Sequence, residues 1–168
     1  MKRDKIIIDI LSRWAIEHLN KESIDDNTCI ISISGSDEGI PNIDHYNCDK
    51  LYLQFDDIST KEEHEKYGYA LFDEYLAWSI LTFIDQQLDK KKFPFKIIIH
   101  CHAGICRSAA VGAALSKIMF NQDDHIFKEK VPNMLVYRTI LQIWFENDDI
   151  HKILPNINRI RYQNLNYI

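Results

Sequence analysis

The chain has 168 residues, 46% of them hydrophobic, and a formal net charge of −5 at pH 7. This length predicts one domain spanning residues 1–168, with a core large enough to form without disulfides or bound metal. Because the acidic balance comes without a basic tail or stripe, the composition argues against a nucleic acid or an anionic membrane as partner.

The cysteine pattern and the lack of long apolar runs indicate the compartment. Four cysteines at irregular spacing fit reduced thiols better than a disulfide framework. No N-terminal segment resembles a secretory leader, and no apolar run approaches the roughly 18 residues needed to cross a bilayer. We therefore expect a cytoplasmic protein. The cysteines are Cys29, Cys48, Cys101 and Cys106.

The first quarter of the chain predicts two strands. Residues 5–10 form an apolar run, and Ser12 is suited to cap a short helix that follows it. Residues 28–34 are rich in β-branched side chains and predict a buried strand. The Gly, Asp, Pro and Asn residues within 35–42 then predict a loop.

A third strand and a long helix are predicted in the middle of the chain. Apolar and polar residues alternate over 51–55, and this alternation stops at Asp56 and Asp57. The polar segment 59–66 fits a surface insertion. Apolar residues then recur at helical spacing over 68–88.

The second half of the chain predicts a central strand at 96–100, a largely buried helix at 107–120 and another helix at 132–145. Near the C-terminus, we expect Arg159 and Arg161 to be surface charges and Tyr162 to pack on the body of the protein. Alternating strands and helices predict an α/β fold with a central, mostly parallel sheet of four to five strands flanked by helices on both faces.

The most informative segment is residues 97–110, IIIHCHAGICRSAA. An apolar strand leads to Cys101, and five residues later Arg107 and Ser108 open a helix. A loop of this length can wrap successive backbone N–H groups around a tetrahedral oxyanion, with further donors from the helix N-terminus. The segment therefore predicts an anion-binding loop with a nucleophile at its base.

Individual loop residues fit that prediction. Gly104 permits a positive φ and a close approach of backbone, and Ala103 is too small to fill the pocket. Donors that bind phosphate also stabilise a thiolate, so we expect Cys101 to be ionised near neutral pH. Arg107 can hold two phosphoryl oxygens with its planar guanidinium, which lysine cannot reproduce.

The pattern His100-Cys101-x5-Arg107-Ser108 resembles the signature of the cysteine-dependent protein tyrosine phosphatase superfamily, and the compact length is similar to its dual-specificity branch. The resemblance implies a phosphatase-type three-layer fold. It also implies hydrolysis through a phosphocysteine intermediate, with no metal and no organic cofactor. The loop His102, Ala103, Gly104, Ile105 and Cys106 would bind the phosphate between Cys101 and Arg107.

The reaction also needs a proton donor for the leaving oxygen. Asp57 follows the strand at 51–55 and resembles the general acid of the small dual-specificity phosphatases. Strand alternation would direct it to the same side as Leu53 and Phe55. Asp56 is the rival candidate, and a third interpretation has both acids simply capping a turn.

The resemblance assigns roles to the residues beside the nucleophile as well. Ser108 would donate to the sulfur when it leaves, and it also suits a helix N-cap. His100 would fix the loop and tune the thiol without touching substrate. Cys106 could form a reversible disulfide with Cys101, although the tight loop disfavours that geometry.

The expected substrate is a phosphorylated protein or a small phosphomonoester. Phosphotyrosine is favoured, and phosphoserine or phosphothreonine are further candidates. The loop lacks the lysines that often mark phosphatases of inositol lipids, so a highly charged head group is disfavoured.

Three alternatives stay open. In the first, the protein is a catalytically weak pseudophosphatase module whose loop only binds phosphate. A long distance between Asp57 and the loop would favour this hypothesis. A rhodanese-like sulfurtransferase also presents a cysteine in an anion-binding loop. A metal site would use the histidines and cysteines of 100–106 with His45 and Cys48, although Arg107 would repel a cation there.

Overall fold

A parallel β-sheet forms the centre of the protein in a computed structural model that describes residues 5–165. Its strands are β1 (Ile6–Ser12), β2 (Thr28–Ser34), β3 (Asp49–Gln54) and β4 (Phe95–Cys101), in the order β1-β4-β2-β3. Every neighbouring pair is parallel. The sequence-based prediction of an α/β fold around a mostly parallel sheet is confirmed.

Helices connect and cover these strands. Within residues 5–165 they are α1 (Arg13–Glu17), α2 (Lys61–Tyr67), α3 (Glu74–Lys90), α4 (Arg107–Phe120), α5 (Asp124–Glu129), α6 (Met134–Glu146), α7 (Ile150–Ile153) and α8 (Pro155–Leu165).

Both faces of the sheet are buried, which makes three layers. Because side chains alternate along a strand, Ile31 and Ile99 point into the main core, where α3, α4, α6 and α8 pack. Ile30 and Ile98 point to the opposite face and contact a smaller cluster that includes Ile16 of α1. Burial on both faces explains why β2 and β4 are almost continuously apolar.

Some element bounds differ from the sequence-based prediction for local reasons. Strand β3 ends at Gln54, so strand alternation does not reach the acids that follow it. Helix α3 begins at Glu74 because the side chain of Asp73 accepts the N–H of Leu76. The polar segment before it forms α2, with a capping box at its start and Gly68 in a left-handed conformation at its end.

The predicted roles of Arg161 and Tyr162 were wrong. Arg161 is half-buried in α8, and its guanidinium donates to the carbonyl of Ile118 at 2.6 Å, near the end of α4. Its guanidinium also lies over the Phe145 ring. Tyr162 is 69% exposed.

The carboxyl ends of three strands meet at one edge of the sheet. Ser12 at the end of β1 pairs with Cys101 at the end of β4. Ser32 near the end of β2 pairs with His100. Loops that follow these strands therefore surround Cys101, where ligands bind in open parallel sheets. No helix within residues 5–165 has the length and apolar character needed to span a bilayer.

Candidate active site

Cys101 lies at the base of the loop that joins β4 to α4. Its side chain is buried, with the residue only 2% exposed. Its sulfur is 3.0 Å from Oγ of Ser108 and accepts the N–H of Gly104 at 3.3 Å. The nucleophile candidate therefore has a hydroxyl beside its sulfur and a backbone N–H that donates to it.

The loop turns its carbonyls outward. The His102 carbonyl accepts the N–H of Arg13, and the Gly104 carbonyl accepts Nζ of Lys130. The next two carbonyls accept the N–H groups of Val131 and Asn133. Because a trans peptide places C=O and N–H on opposite sides, the N–H groups that follow these carbonyls face the interior of the loop. They make the cup of donors that an oxyanion needs.

Gly104 allows this cup to pack against the sheet. Its φ is +71°, as the sequence predicted. A Cβ at this position would lie 2.7 Å from the backbone carbon of Leu11 and the backbone nitrogen of Ser12. Two independent constraints, a left-handed backbone and a close approach to the end of β1, require glycine here.

Arg107 is held in place by Glu38. Its Nη2 lies 2.9 Å from Oε1 of Glu38, and its Nη1 lies 3.3 Å from Oε2 and donates to the Phe55 carbonyl at 3.1 Å. Burial alone would raise the pKa of Glu38, but hydrogen bonds from Arg107 and from the Gly35 N–H outweigh it, and the pKa is lowered. Glu38 therefore stays ionised and fixes the plane of the guanidinium.

The loop that carries Glu38 is fastened in turn by Arg13. The guanidinium of Arg13 donates to the carbonyls of Glu38, Gly39 and Ile40, and its Nε donates to Glu17 at 3.2 Å. The backbone N–H of Arg13 also binds the His102 carbonyl at 3.0 Å. One residue at the start of α1 thus joins the loop 102–106 to the loop after β2.

Asp57 lies beside the loop 102–106. Its carboxylate accepts Nδ2 of Asn133 at 2.8 Å and is hydrogen-bonded by the Cys106 thiol. Burial and the charge of Asp57 raise the pKa of Cys106, so this thiol stays protonated at neutral pH. The backbone N–H of Asn133 binds the Cys106 carbonyl at 3.0 Å. Asn133 therefore ties the acid to the loop.

Asp56 is bound on the other side of the turn. It accepts the backbone N–H groups of Ser36 at 2.9 Å and Ala70 at 2.7 Å, and the Ser36 hydroxyl. Burial would raise its pKa, but these donors and nearby Arg107 outweigh burial and lower it. A carboxylate with its oxygens occupied in this way stabilises two loops and is poorly suited to release a proton.

His100 is fully buried under the loop. Its Nε2 lies 2.7 Å from the Ser32 hydroxyl, and its Nδ1 lies 3.4 Å from the Cys101 carbonyl. Burial lowers its pKa from 6.5 to about 4. His100 is therefore neutral near pH 7 and supports the backbone of the nucleophile.

The folded chain brings together the residues proposed from the sequence: Cys101, Arg107, Ser108 and Asp57 at one edge of the sheet. It does not gather the residues of the proposed metal site, because within residues 5–165 no three His, Cys, Asp or Glu side chains are placed to hold an ion. Glu38, Arg13 and Asn133 carried no sequence signal for these contacts. Glu38 had the pattern of a solvated loop acid, and Asn133 that of a helix cap.

Comparisons with known proteins bear on the fold. No protein-family model matches the sequence, and no curated protein gives a significant match. The crystal structure of PTPMT1 in complex with PI(5)P resembles the chain with a TM-score of 0.55 at 12% identity, over 86% of this chain and 94% of that one. The chain has the fold of the cysteine-dependent protein tyrosine phosphatases.

Two further solved structures resemble the chain more loosely. The human tyrosine phosphatase-like serine/threonine/tyrosine-interacting protein is 21% identical, with a TM-score of 0.49 over 70% of this chain and 76% of that one. Tk-PTP in the active form is 12% identical, with a TM-score of 0.44 over 94% of this chain and 92% of that one.

Proposed function

We propose that the protein is a cysteine-dependent phosphomonoester hydrolase, with residues 1–168 as one phosphatase domain. The observation that carries this proposal is the position of the Cys101 sulfur at the base of a cup of backbone donors, closed by an arginine in a fixed orientation. We infer phosphotyrosine in proteins as the main substrate class. Small aryl phosphates and proteins phosphorylated on serine or threonine are secondary candidates.

Arg107 retains donors for the substrate. A guanidinium has five N–H bonds. Contacts with Phe55 and Glu38 occupy the two on Nη1 and one on Nη2, which leaves Nε and one Nη2 hydrogen for two phosphoryl oxygens. The loop N–H groups bind the remaining charge of the transferring group.

The first chemical step forms a bond between sulfur and phosphorus. The Cys101 thiolate attacks in line, the P–O bond to the alcohol breaks, and Asp57 gives its proton to the leaving oxygen. Contacts with Asn133 and Cys106 hold the Asp57 carboxyl beside the loop. This closeness supports hydrolysis over a module that only binds phosphate.

The second step regenerates the enzyme. Asp57, now a carboxylate, takes a proton from water as the water attacks phosphorus. The S–P bond breaks and inorganic phosphate leaves. Ser108, 3.0 Å from the sulfur, donates a hydrogen bond to the departing thiolate.

The two neighbouring aspartates allow a sharp test of the acid. Asp57→Asn should lower kcat/KM, which reports formation of the intermediate, about a hundredfold on an aryl phosphate with a poor leaving group, because general acids contribute about 10² to 10⁴. The change in kcat/KM should be small for 4-nitrophenyl phosphate, whose leaving group needs no proton. Values of kcat/KM across a leaving-group series and against pH measure both effects.

Asp56→Asn is the matched control. Because Asp56 holds two loops together, we expect this variant to lower thermal stability while keeping the leaving-group dependence of the wild type. Equal leaving-group dependence in wild type and Asp57→Asn would contradict the acid assignment. Failure of wild type to hydrolyse any aryl phosphate, together with tight phosphopeptide binding, would favour the binding module.

A further inference from the structure

Exposed apolar side chains occur in the loop 102–106 and in segments linked to it by hydrogen bonds. Apolar patches on a soluble surface mark binding sites when they are contiguous. These side chains belong to four segments that meet at the carboxyl edge of the sheet. They are Trp14 (70% exposed), Ile40 (77%), Ile105 (43%) and Val131 (69%), which we call the apolar rim.

Hydrogen bonds place each member of the apolar rim next to the loop. Trp14 follows Arg13, whose backbone N–H donates to the His102 carbonyl at 3.0 Å. The carbonyl of Ile40 accepts a hydrogen bond from the Arg13 guanidinium at 3.2 Å. Ile105 is a loop residue, and its carbonyl accepts the N–H of Val131 at 3.2 Å. The backbone contacts that shape the cup therefore also fix the apolar rim around it.

A cavity of about 310 Å³ lies beside Ile40, between the loop after β2 and strand β3. Ile40, Tyr52 and Leu53 contribute apolar surface to its lining, and Gly35 contributes backbone. A Cβ at Gly35 would lie 3.2 Å from Nη1 of Arg107, the nitrogen that binds Glu38 and Phe55, so the cavity lies beside the Arg107–Glu38 pair. Its size suits one large apolar side chain.

The charges around the cup disfavour acidic ligands beyond the phosphate itself. Asp37 and Glu38 lie in the loop that carries Ile40, and Asp57 is a further acid, bound by Asn133. Of the nearby cations, Arg13 is occupied by backbone carbonyls and Glu17, and Lys130 donates to the loop. With a net charge of −5 as well, this face would be repelled by an anionic bilayer and by acidic residues in a peptide.

We propose that the apolar rim and its cavity select protein substrates in which large apolar residues flank the phosphorylated residue. The proposal rests on the hydrolase function above and names the sequence class that it acts on. The phosphate enters the cup, one flanking side chain enters the cavity beside Ile40, and another flanking side chain packs on Trp14. The Trp14 ring is presented by stacking on His18, with centroids 4.6 Å apart.

Paired phosphotyrosine peptides test this selection. Two peptides of equal length carry leucine or phenylalanine at the flanking positions in one case and glutamate in the other. We expect kcat/KM to favour the apolar peptide about tenfold, the effect of burying one to two side chains partially. Ile40→Ser and Trp14→Ser should each lower this ratio toward one. Because the ratio is taken within one variant, any general loss of activity cancels.

Ile153→Ser is the matched control, since Ile153 is an exposed isoleucine of α7 outside the apolar rim, and it should leave the ratio at the wild-type value. A wild-type ratio of one or less would overturn the proposal, as would an equal fall in Ile153→Ser. Faster turnover of a phosphorylated lipid in vesicles than of either peptide would also overturn it and would indicate a membrane lipid as the substrate.

Loss of the hydrolase function would be visible separately, as failure to hydrolyse 4-nitrophenyl phosphate. In that case the affinities of the two peptides for the Cys101→Ser protein are compared instead. Tighter binding of the apolar peptide supports the role of the apolar rim, and equal affinities contradict it.

Discussion

The pairing of Arg107 with Glu38 sets the orientation of the guanidinium that, in the proposed function, meets a phosphate. Both carboxylate oxygens bind the outer edge of the guanidinium, so its plane is set before substrate arrives. Preorganised charge of this kind is worth more than charge that must reorient during the reaction. We therefore treat Glu38 as a positioning residue for Arg107.

Glu38→Gln should raise KM for phosphate esters and the inhibition constant of inorganic phosphate about tenfold. The neutral amide cannot accept two charge-assisted hydrogen bonds, so the guanidinium loses its fixed orientation. Initial rates against substrate and phosphate concentration measure both constants. Asp37→Asn, a change of the exposed neighbouring acid, should leave both near wild type. Tighter phosphate binding in Glu38→Gln would instead show that the carboxylate competes with substrate.

At the residue scale, the sequence reveals the site where its chemistry is local. Cys101, Arg107 and Ser108 lie within one turn of loop and helix, so their spacing alone predicts an anion-binding nucleophile. Glu38 and Asn133 reach the site through sheet topology from distant parts of the chain. Neither has a residue pattern around it that distinguishes a functional contact from a solvated turn or a helix cap.

At the scale of elements, Gly104 couples the loop 102–106 to the end of β1. Gly104→Ala should lower the free energy of unfolding by about 2–4 kcal/mol, because a left-handed alanine costs about 1–2 kcal/mol and its Cβ collides with backbone at 2.7 Å. Activity should fall sharply as the cup distorts. Chemical denaturation and aryl phosphate kinetics measure the two effects.

Gly68→Ala separates strain from collision. Gly68 also has a φ of +71°, but nothing lies within 4 Å of a Cβ there. The free energy of unfolding of this variant should fall only by the cost of a left-handed alanine, and its activity should be unchanged. Equal losses of stability and activity in the two variants would contradict the packing argument for Gly104.

The helices and strands differ in how far they could be predicted. The bounds of β2 and α4 agree with the sequence-based prediction because continuous burial leaves a strong apolar pattern. Helix α8 gave no such pattern, since it buries only Ile157 and Ile160. Its start is fixed by Asp85 of α3, which accepts two backbone N–H groups of α8 at 2.9 Å, a contact that no local pattern encodes.

At the scale of the whole molecule, the buried neutral His100 makes folding depend on pH. In the unfolded chain its pKa returns toward 6.5, whereas in the folded protein burial holds it at about 4. Between these values the unfolded chain binds more protons, so stability is complete above pH 6.5 and is lost as the pH falls toward 4. The loss amounts to about 3 kcal/mol at about 1.4 kcal/mol per unit.

Denaturant unfolding at intervals between pH 7 and 4 measures this loss. His100→Asn, which removes the titrating group, should flatten the curve across that window. The carboxylates whose pKa values are lowered, including Glu38 and Asp56, lose their contribution only at more acidic pH. If the stability of His100→Asn depended on pH as that of the wild type does, the role given to burial of His100 would be contradicted.

The central claim is that the sulfur of Cys101 carries the phosphoryl group between two half-reactions. Mass spectrometry of Asp57→Asn, quenched during turnover of 4-nitrophenyl phosphate, tests it most directly. This substrate needs no acid to form the intermediate, whereas breakdown lacks its base. The result expected is one phosphoryl group on the peptide containing Cys101, absent from the Cys101→Ser protein. Continued release of phosphate with Cys101 unmodified throughout would contradict the account.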